Sequence, residues 1–358
     1  MKNVVRLWLF LVIIPLVLLA ALNYYIDPLW CFSHSNSLNN RQDGFNERQQ
    51  KTNRAYFTQM LRNSDSILLG SSRTAYINQF DFKGMRLYNY ATDNMVPKEY
   101  ERWIEIAKRI KGGSFRNIVI GIDFFGTAEN YDAVVDRYYN HKKPEDYFAQ
   151  TIEPLYRYKM LLTWDSTKHS IRDIKRVYNP TVSDYDRNNV RHVSIKVSPK
   201  QLEKNIERDI DEYLIPMTKE YRYRSDWPLL LENLKKRNPE SSFILFTTPV
   251  SMPFFKKFVV EAGHIDEYFR WLNETVSVFG RVYHFMDINS VTSDLKNFFD
   301  AHHVYADVDR MIAQRISGYG HENIPKDFGV LLTKENIDEY EKAMRRKLSG
   351  NLLKSSQN

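Results

Sequence analysis

Short apolar runs alternate along this chain with stretches of helical spacing, and that alternation restricts the fold more than any other feature of the sequence. Ser66-Ile67-Leu68-Leu69-Gly70, Arg86-Leu87-Tyr88-Asn89-Tyr90, Asn117-Ile118-Val119-Ile120-Gly121, Ser242 to Thr247 and Tyr283 to Asp287 read as strands. Between them, Pro97 to Lys111 carries apolar residues at helical spacing before the stop Gly112-Gly113, and Trp227 to Arg237, Phe254 to Phe279, a short stretch at 293–299 and Asp307 to Ile316 read as helices. A helix is also expected at about 51–62. Strands that alternate with helices imply an α/β fold with a parallel sheet covered on both faces. The third run is apolar throughout, as buried parallel strands are.

The region 127–225 breaks the pattern. It is rich in Tyr, Arg, Asp and Lys, offers few strand signals and reads as a largely helical insertion, with helices near 145–163 and 200–215. Two readings of it stay open: a packing or lid insertion without chemical role, and a substrate-binding element.

At the N-terminus, Leu7 to Leu22 is apolar throughout. As a helix it measures about 24 Å, and flanking residues from Val4 to Ile26 extend it to about the 30 Å thickness of a bilayer's hydrocarbon core. Trp8, Tyr24 and Tyr25 suit interfacial positions, and Lys2 and Arg6 before the run keep the N-terminus cytoplasmic. The expectation is therefore a single-pass signal anchor with the main domain outside the cytoplasm, periplasmic or extracellular. A cleaved signal peptide is the competing reading; the run is long for one, and Ala20-Ala21-Leu22-Asn23 is a poor cleavage site.

The net charge of +7 permits anionic partners, but no zinc-finger spacing or RNP-like aromatic motif accompanies it, so nucleic acid is not expected. The single cysteine, Cys31, cannot form an intrachain disulfide. Pro28-Leu29-Trp30 before it lacks the small residues of a lipidation signal.

In open parallel sheets, ligands bind at the carboxyl ends of the strands. The residues found there are Gly70-Ser71-Ser72-Arg73-Thr74 after the first strand, Gly121-Ile122-Asp123-Phe124 after the third, and Asp300-Ala301-His302-His303 in the last loop before a helix. A serine on a sharp strand-to-helix turn lies near backbone N–H groups able to stabilise an oxyanion. It needs a base to take its proton, and a carboxylate on the far ring nitrogen orients that base. Ser72 is thus the candidate nucleophile, His303 the base and Asp300 its orienting partner. Arg73 is either a binder of an anionic substrate group or half of a structural ion pair. His302 reads as a loop or packing residue and His284 as core. Adjacent histidines rarely converge on one ion, so no metal is expected, and no cofactor either: GxxxxGK[ST] is absent.

With these residues in view, ILLGSSRTAY at 67–76 and NFFDAHHVYADVDRMIAQRI at 297–316 resemble the serine and DxxH blocks of the SGNH/GDSL hydrolase superfamily, in particular the membrane-anchored SGNH-like proteins of envelope polysaccharide acylation systems. The resemblance covers roughly 65–125 and 240–318. It implies a flavodoxin-like three-layer α/β/α sandwich with a parallel sheet, and an SGNH-type ester hydrolase or O-acyltransferase that acts on envelope polysaccharide through an acyl-enzyme on Ser72. A transferase of that kind implies a membrane protein as acyl donor. The chain departs from the family's pattern in two places. The second block, Tyr88 to Asn94, holds no Gly, and the third has Asp123 where an Asn donor is usual. Ser72 and Asn94 are then the candidates for the oxyanion hole, with Arg73 and Asp123 as further residues at the site. The alternative function is a catalytically inactive binding or scaffold subunit of a polysaccharide assembly system.

The expected organisation is an anchor at 1–26, a polar juxtamembrane linker at 27–50, the α/β domain at 51–332 with its insertion, and a charged helical segment and polar tail at 333–358.

Overall fold

The computed structural model describes residues 2–133, 135 and 142–355. The chain divides into two compact units: Met1–Ser64 with Arg102–Gly113 and Lys142–Lys196, and Asp65–Glu101 with Ser114–His141 and Val197–Asn358. Its strands are β1 Ser66–Leu69, β2 Leu87–Asn89, β3 Asn117–Ile122, β4 Ser183–Tyr185, β5 Arg191–Val193, β6 Ser242–Thr247, β7 Arg281–His284 and β8 Val330–Thr333.

The second unit is built on a six-stranded sheet of order β2-β1-β3-β6-β7-β8. The first five strands in that order run parallel, in registers such as Ile67 with Ile118 and Val119 with Ile244. β8 lies antiparallel on β7, pairing His284 with Val330 and Arg281 with Thr333. The sheet is therefore mixed and not the parallel sheet expected. β8 escapes a reading based on apolar runs because the strand is four residues long and sits on the edge, where only Leu332 is fully buried. β1 and β3 are buried almost throughout, as central strands flanked on both sides must be. A core of Leu68, Val119, Phe246, Phe285, Val308, Ile312 and Phe328 joins the sheet to the helix Ala306–Ser317. The chain leaves β1 toward β2 and returns to the other side of β1 as β3. The strand order thus reverses between β1 and β3, the place where such sheets open a crevice at their carboxyl ends.

The expected helix over 254–279 is broken. Met252–Phe255 continues as a wider-wound turn, Lys256–Glu261, and Gly263 at φ +78° ends it before Ile265–Phe279 begins. The C-terminal segment is helical over Ile337–Ser355, and residues 356–358 lie outside the described residues.

The first unit carries helices Lys2–Ile26, Glu47–Phe57, Pro144–Thr151 and Trp164–Tyr178, and the β4–β5 hairpin. The segment 27–50 packs within this unit. Asp27, Asn39 and Gln42 are buried, Arg187 donates to the Asp27 carboxylate and the Phe32 carbonyl, and Gln42 Nε2 donates to the Ile26 carbonyl at 2.8 Å. Polar side chains there satisfy buried main-chain groups, so their composition mimics that of a loop in water.

Among the described residues no helix is long and apolar enough to cross a membrane. The expected transmembrane anchor is thereby corrected, and with it the single-pass topology, the extracytoplasmic placement and the two membrane partners, bilayer and acyl-donor protein. Length is the physical reason. The required span drew on residues up to Ile26, but Asn23 is buried and bonded to the Leu161 carbonyl at 2.8 Å and to the Thr167 and Ser170 hydroxyls. Ile26 is wholly buried. That end of the helix is spent on protein packing. The Lys2 and Arg6 side chains, on which the orientation rested, lie outside the described residues.

Candidate active site

β1 ends at Leu69, and the chain turns at Gly70, whose φ is +146°. A Cβ there would strike the Thr74 side chain and the Gly121 carbonyl oxygen, so only glycine lets the turn sit this close to β3. Ser71 caps the one-turn helix Ser72–Ala75, its hydroxyl accepting from Arg73 N at 3.4 Å. Asn89, the last residue of β2, closes the other end of the turn. Its amide donates to the carbonyls of Ile77 at 2.9 Å and of Thr74 and Ala75 at 3.3 Å each. Ser72 is thus held from both sides and remains partly exposed.

The loop before helix Ala306–Ser317 delivers the other two groups. Asp300 Oδ1 accepts from the backbone N–H of His302 at 2.9 Å and of His303 at 2.7 Å. Asp300 Oδ2 lies 2.7 Å from His303 Nδ1, and His303 Nε2 lies 2.8 Å from Ser72 Oγ. The His303 ring stacks on Phe299 at 5.5 Å and an interplanar angle of 7° and tilts against Tyr76. Burial works to raise the Asp300 carboxyl, but the imidazoles of His303 and His302 and the converging N–H donors overcome it and hold this carboxyl far below the usual range. Asp300 is therefore a carboxylate at neutral pH and only accepts. The proton between it and His303 sits on Nδ1, which leaves Nε2 with a lone pair facing the Ser72 hydroxyl.

The structure thus brings together Ser72, His303 and Asp300, from opposite ends of the chain. Arg73 and Asp123 meet each other instead: Arg73 Nη1 lies 3.3 Å from Asp123 Oδ2, with both side chains nearly enclosed. Thr248 Oγ1 donates to Asp123, and the guanidinium lies over the Phe125 ring. Of the two readings of Arg73, the geometry gives the structural ion pair. Asn94 stands in the loop after β2 with a left-handed backbone, φ +54°.

His302 is buried between Tyr213 and Phe254. Burial, and then the neighbouring His303 and Arg73, push it well below the ordinary histidine range, so it is a neutral packing group and not a second base. Asp300, His302 and His303 offer ligand atoms within 4.8 Å of one another. A cation bound there would take the Asp300 and His303 atoms that now bond each other and Ser72.

Three residues that hold this loop lie in the insertion and carry no motif. On helix Pro199–Leu214, Asn205 Nδ2 donates to the Phe299 carbonyl at 2.9 Å, and Asp209 Oδ2 accepts from Ala301 N at 3.0 Å. Tyr213 packs on His302. Their spacing of four residues is the one signal the sequence offered.

No protein-family model matches the chain, and no curated protein matches it. The resemblance to SGNH/GDSL hydrolases thus has no support in these comparisons, and what is known of the site is its geometry.

Proposed function

We propose that this protein is a serine-dependent ester hydrolase or acyltransferase. One observation carries the reading: a partly exposed serine hydroxyl, an imidazole and a buried carboxylate stand in series at 2.8 and 2.7 Å, the arrangement in which a carboxylate-oriented histidine deprotonates a nucleophilic serine. Ser72 Oγ attacks the ester carbonyl carbon, and its proton passes to His303 Nε2. The single bond between the acyl carbon and the alkoxy oxygen then breaks, and the leaving alcohol takes that proton. Water or a second alcohol, deprotonated by His303, attacks the acyl-enzyme, releases an acid or a new ester and restores Ser72. As the first residue of a helical turn, Ser72 has a backbone N–H without an intrahelical acceptor, and in this reading that N–H serves as the oxyanion donor. The negative charge of Asp123 is offset by Arg73 before it reaches that position. The geometry speaks to acyl chemistry and not to a glycan.

The test is labelling of the full chain by a fluorophosphonate probe, with hydrolysis of p-nitrophenyl acetate measured alongside. Labelling and turnover are expected for the wild type, and Ser72→Ala is expected to abolish labelling and lower turnover by roughly a thousandfold or more. Equal labelling of both proteins, or none in either while a control serine esterase reacts, overturns the proposal.

A further inference from the structure

We infer that the insertion helix Pro199–Leu214 is a clamp that positions the catalytic loop, with Asn205 and Asp209 as positioning residues that grip the main chain on either side of Asp300. The inference rests on the acyl-transfer reading of Ser72. Asn205 holds the carbonyl of Phe299, the residue before Asp300, and Asp209 holds the N–H of Ala301, the residue after it. The two side chains stand one helical turn apart, so a single rigid face fixes both peptides that flank the orienting carboxylate. Phe299, whose carbonyl is gripped, also carries the stacked His303 ring, so its position sets the tilt of the base. One turn further on, Tyr213 packs against His302 and the Phe125 ring, which extends the same face to the Arg73–Asp123 side of the site.

The chemistry of Asp209 argues against mere packing. The helix is polar and largely exposed, with Ile206 and Asp209 its buried residues. Burying a carboxylate is costly unless donors meet it. Here the donors are the Ala301 N–H on the loop side and the Arg208 guanidinium on the solvent side, at 3.0 and 2.7 Å. An apolar side chain would fill this position at less cost, but it would leave a backbone N–H of the catalytic loop unmatched.

The experiment compares full-length wild type, Asp209→Ala, Asp209→Asn and Asn205→Ala. Asparagine keeps an acceptor oxygen for Ala301 and tests rescue. Steady-state hydrolysis of p-nitrophenyl acetate is expected to show kcat lowered roughly ten- to a hundredfold in Asp209→Ala, with KM within about twofold of wild type, and kcat largely restored in Asp209→Asn. Amide hydrogen exchange over 298–304 is expected to quicken in Asp209→Ala and Asn205→Ala and to stay slow in Asp209→Asn. An Asp209→Ala protein with wild-type kcat and unchanged exchange overturns the clamp. So does one whose kcat falls equally in the Asn variant. If the wild type has no esterase activity, the acyl-transfer reading fails alone, and the exchange measurement still decides whether the helix holds the loop.

Discussion

At the scale of single residues, the state of His303 follows from that of Asp300. Asp300 is ionised far below neutrality, so in the neutral imidazole it keeps the N–H on Nδ1 and the basic nitrogen toward Ser72. Asp300→Asn removes that charge and can present an amide N–H to Nδ1, which favours the tautomer with its proton pointed at the serine. Turnover is expected to fall by roughly a thousand- to ten-thousandfold. The Asp300 carboxylate is charged at neutral pH, so the loss should be fully present at pH 7. Turnover of the two proteins at pH 7 checks this, and a variant within about tenfold of the wild type contradicts the assignment. Ser72 was legible in the sequence because it follows the carboxyl end of β1, and Asp300 and His303 because they stand in the loop before helix Ala306–Ser317. Their neighbours were less so. That Arg73 would be neutralised by Asp123 depends on which face of β3's end the carboxylate takes, and adjacent strand ends do not reveal that. Asn205 and Asp209 lie about ninety residues from the loop they grip, in a segment with no strand pattern to place it.

Elements set the precision of the site. The turn from Gly70 to Ala75 is too short to be stable alone; it is fixed by Thr74 fitting between Gly70 and Gly121 and by Asn89 capping it from the neighbouring strand. Asn89→Ala deprives the Thr74, Ala75 and Ile77 carbonyls of a buried donor. Unfolding in urea should show a loss of about 1–3 kcal/mol, and kcat should fall with it, since the turn carries Ser72. Asn89→Asp keeps the volume and the acceptor but not the donor, and it should do no better; full recovery in the Asp variant would remove the capping explanation. The parallel strands were readable as elements because burial on both faces leaves continuous apolar runs. β8 was not, since a short edge strand buries little. Helix Glu47–Phe57 shows the opposite difficulty. Its residues are mostly polar, yet Gln49, Gln50 and Asn53 are buried and donate to Tyr147, Pro28 and Leu29 carbonyls. The pattern marks which residues are polar, and only the fold decides whether water or main chain satisfies them.

For the whole molecule, buried titratable groups give folding stability a definite pH dependence. Burial raises Asp173 to about 8 and Asp287 to about 6 and lowers His284 to about 3. A raised carboxyl holds a proton in the folded chain that the unfolded chain has released above about pH 4, so its effect is to lower stability as pH rises toward the folded value. A depressed histidine has the opposite sign. The unfolded chain takes a proton below about pH 6.5 that the folded chain refuses, so stability falls with acid until the folded value is reached. Between about pH 4 and 6 the carboxyls and the histidine oppose one another. From about 6.5 to 8 Asp173 acts without that opposition, and each pH unit costs roughly 1.4 kcal/mol while it stays protonated only in the folded state. Asp309, fully buried and shifted the same way, adds to the slope. Asp173 Oδ1 accepts from Asp43 N at 2.9 Å, and Oδ2 has no hydrogen-bond partner among the described residues, so asparagine keeps the bond and removes the charge. Asp173→Asn should therefore match the wild type only near pH 4, and its advantage should grow by roughly 4 kcal/mol between pH 5 and pH 8, as read from denaturant midpoints at the two pH values. A variant that gains as much at pH 5 as at pH 8 would show that the carboxyl does not titrate in this window, and the protein's alkaline loss of stability would have to be sought in Asp309.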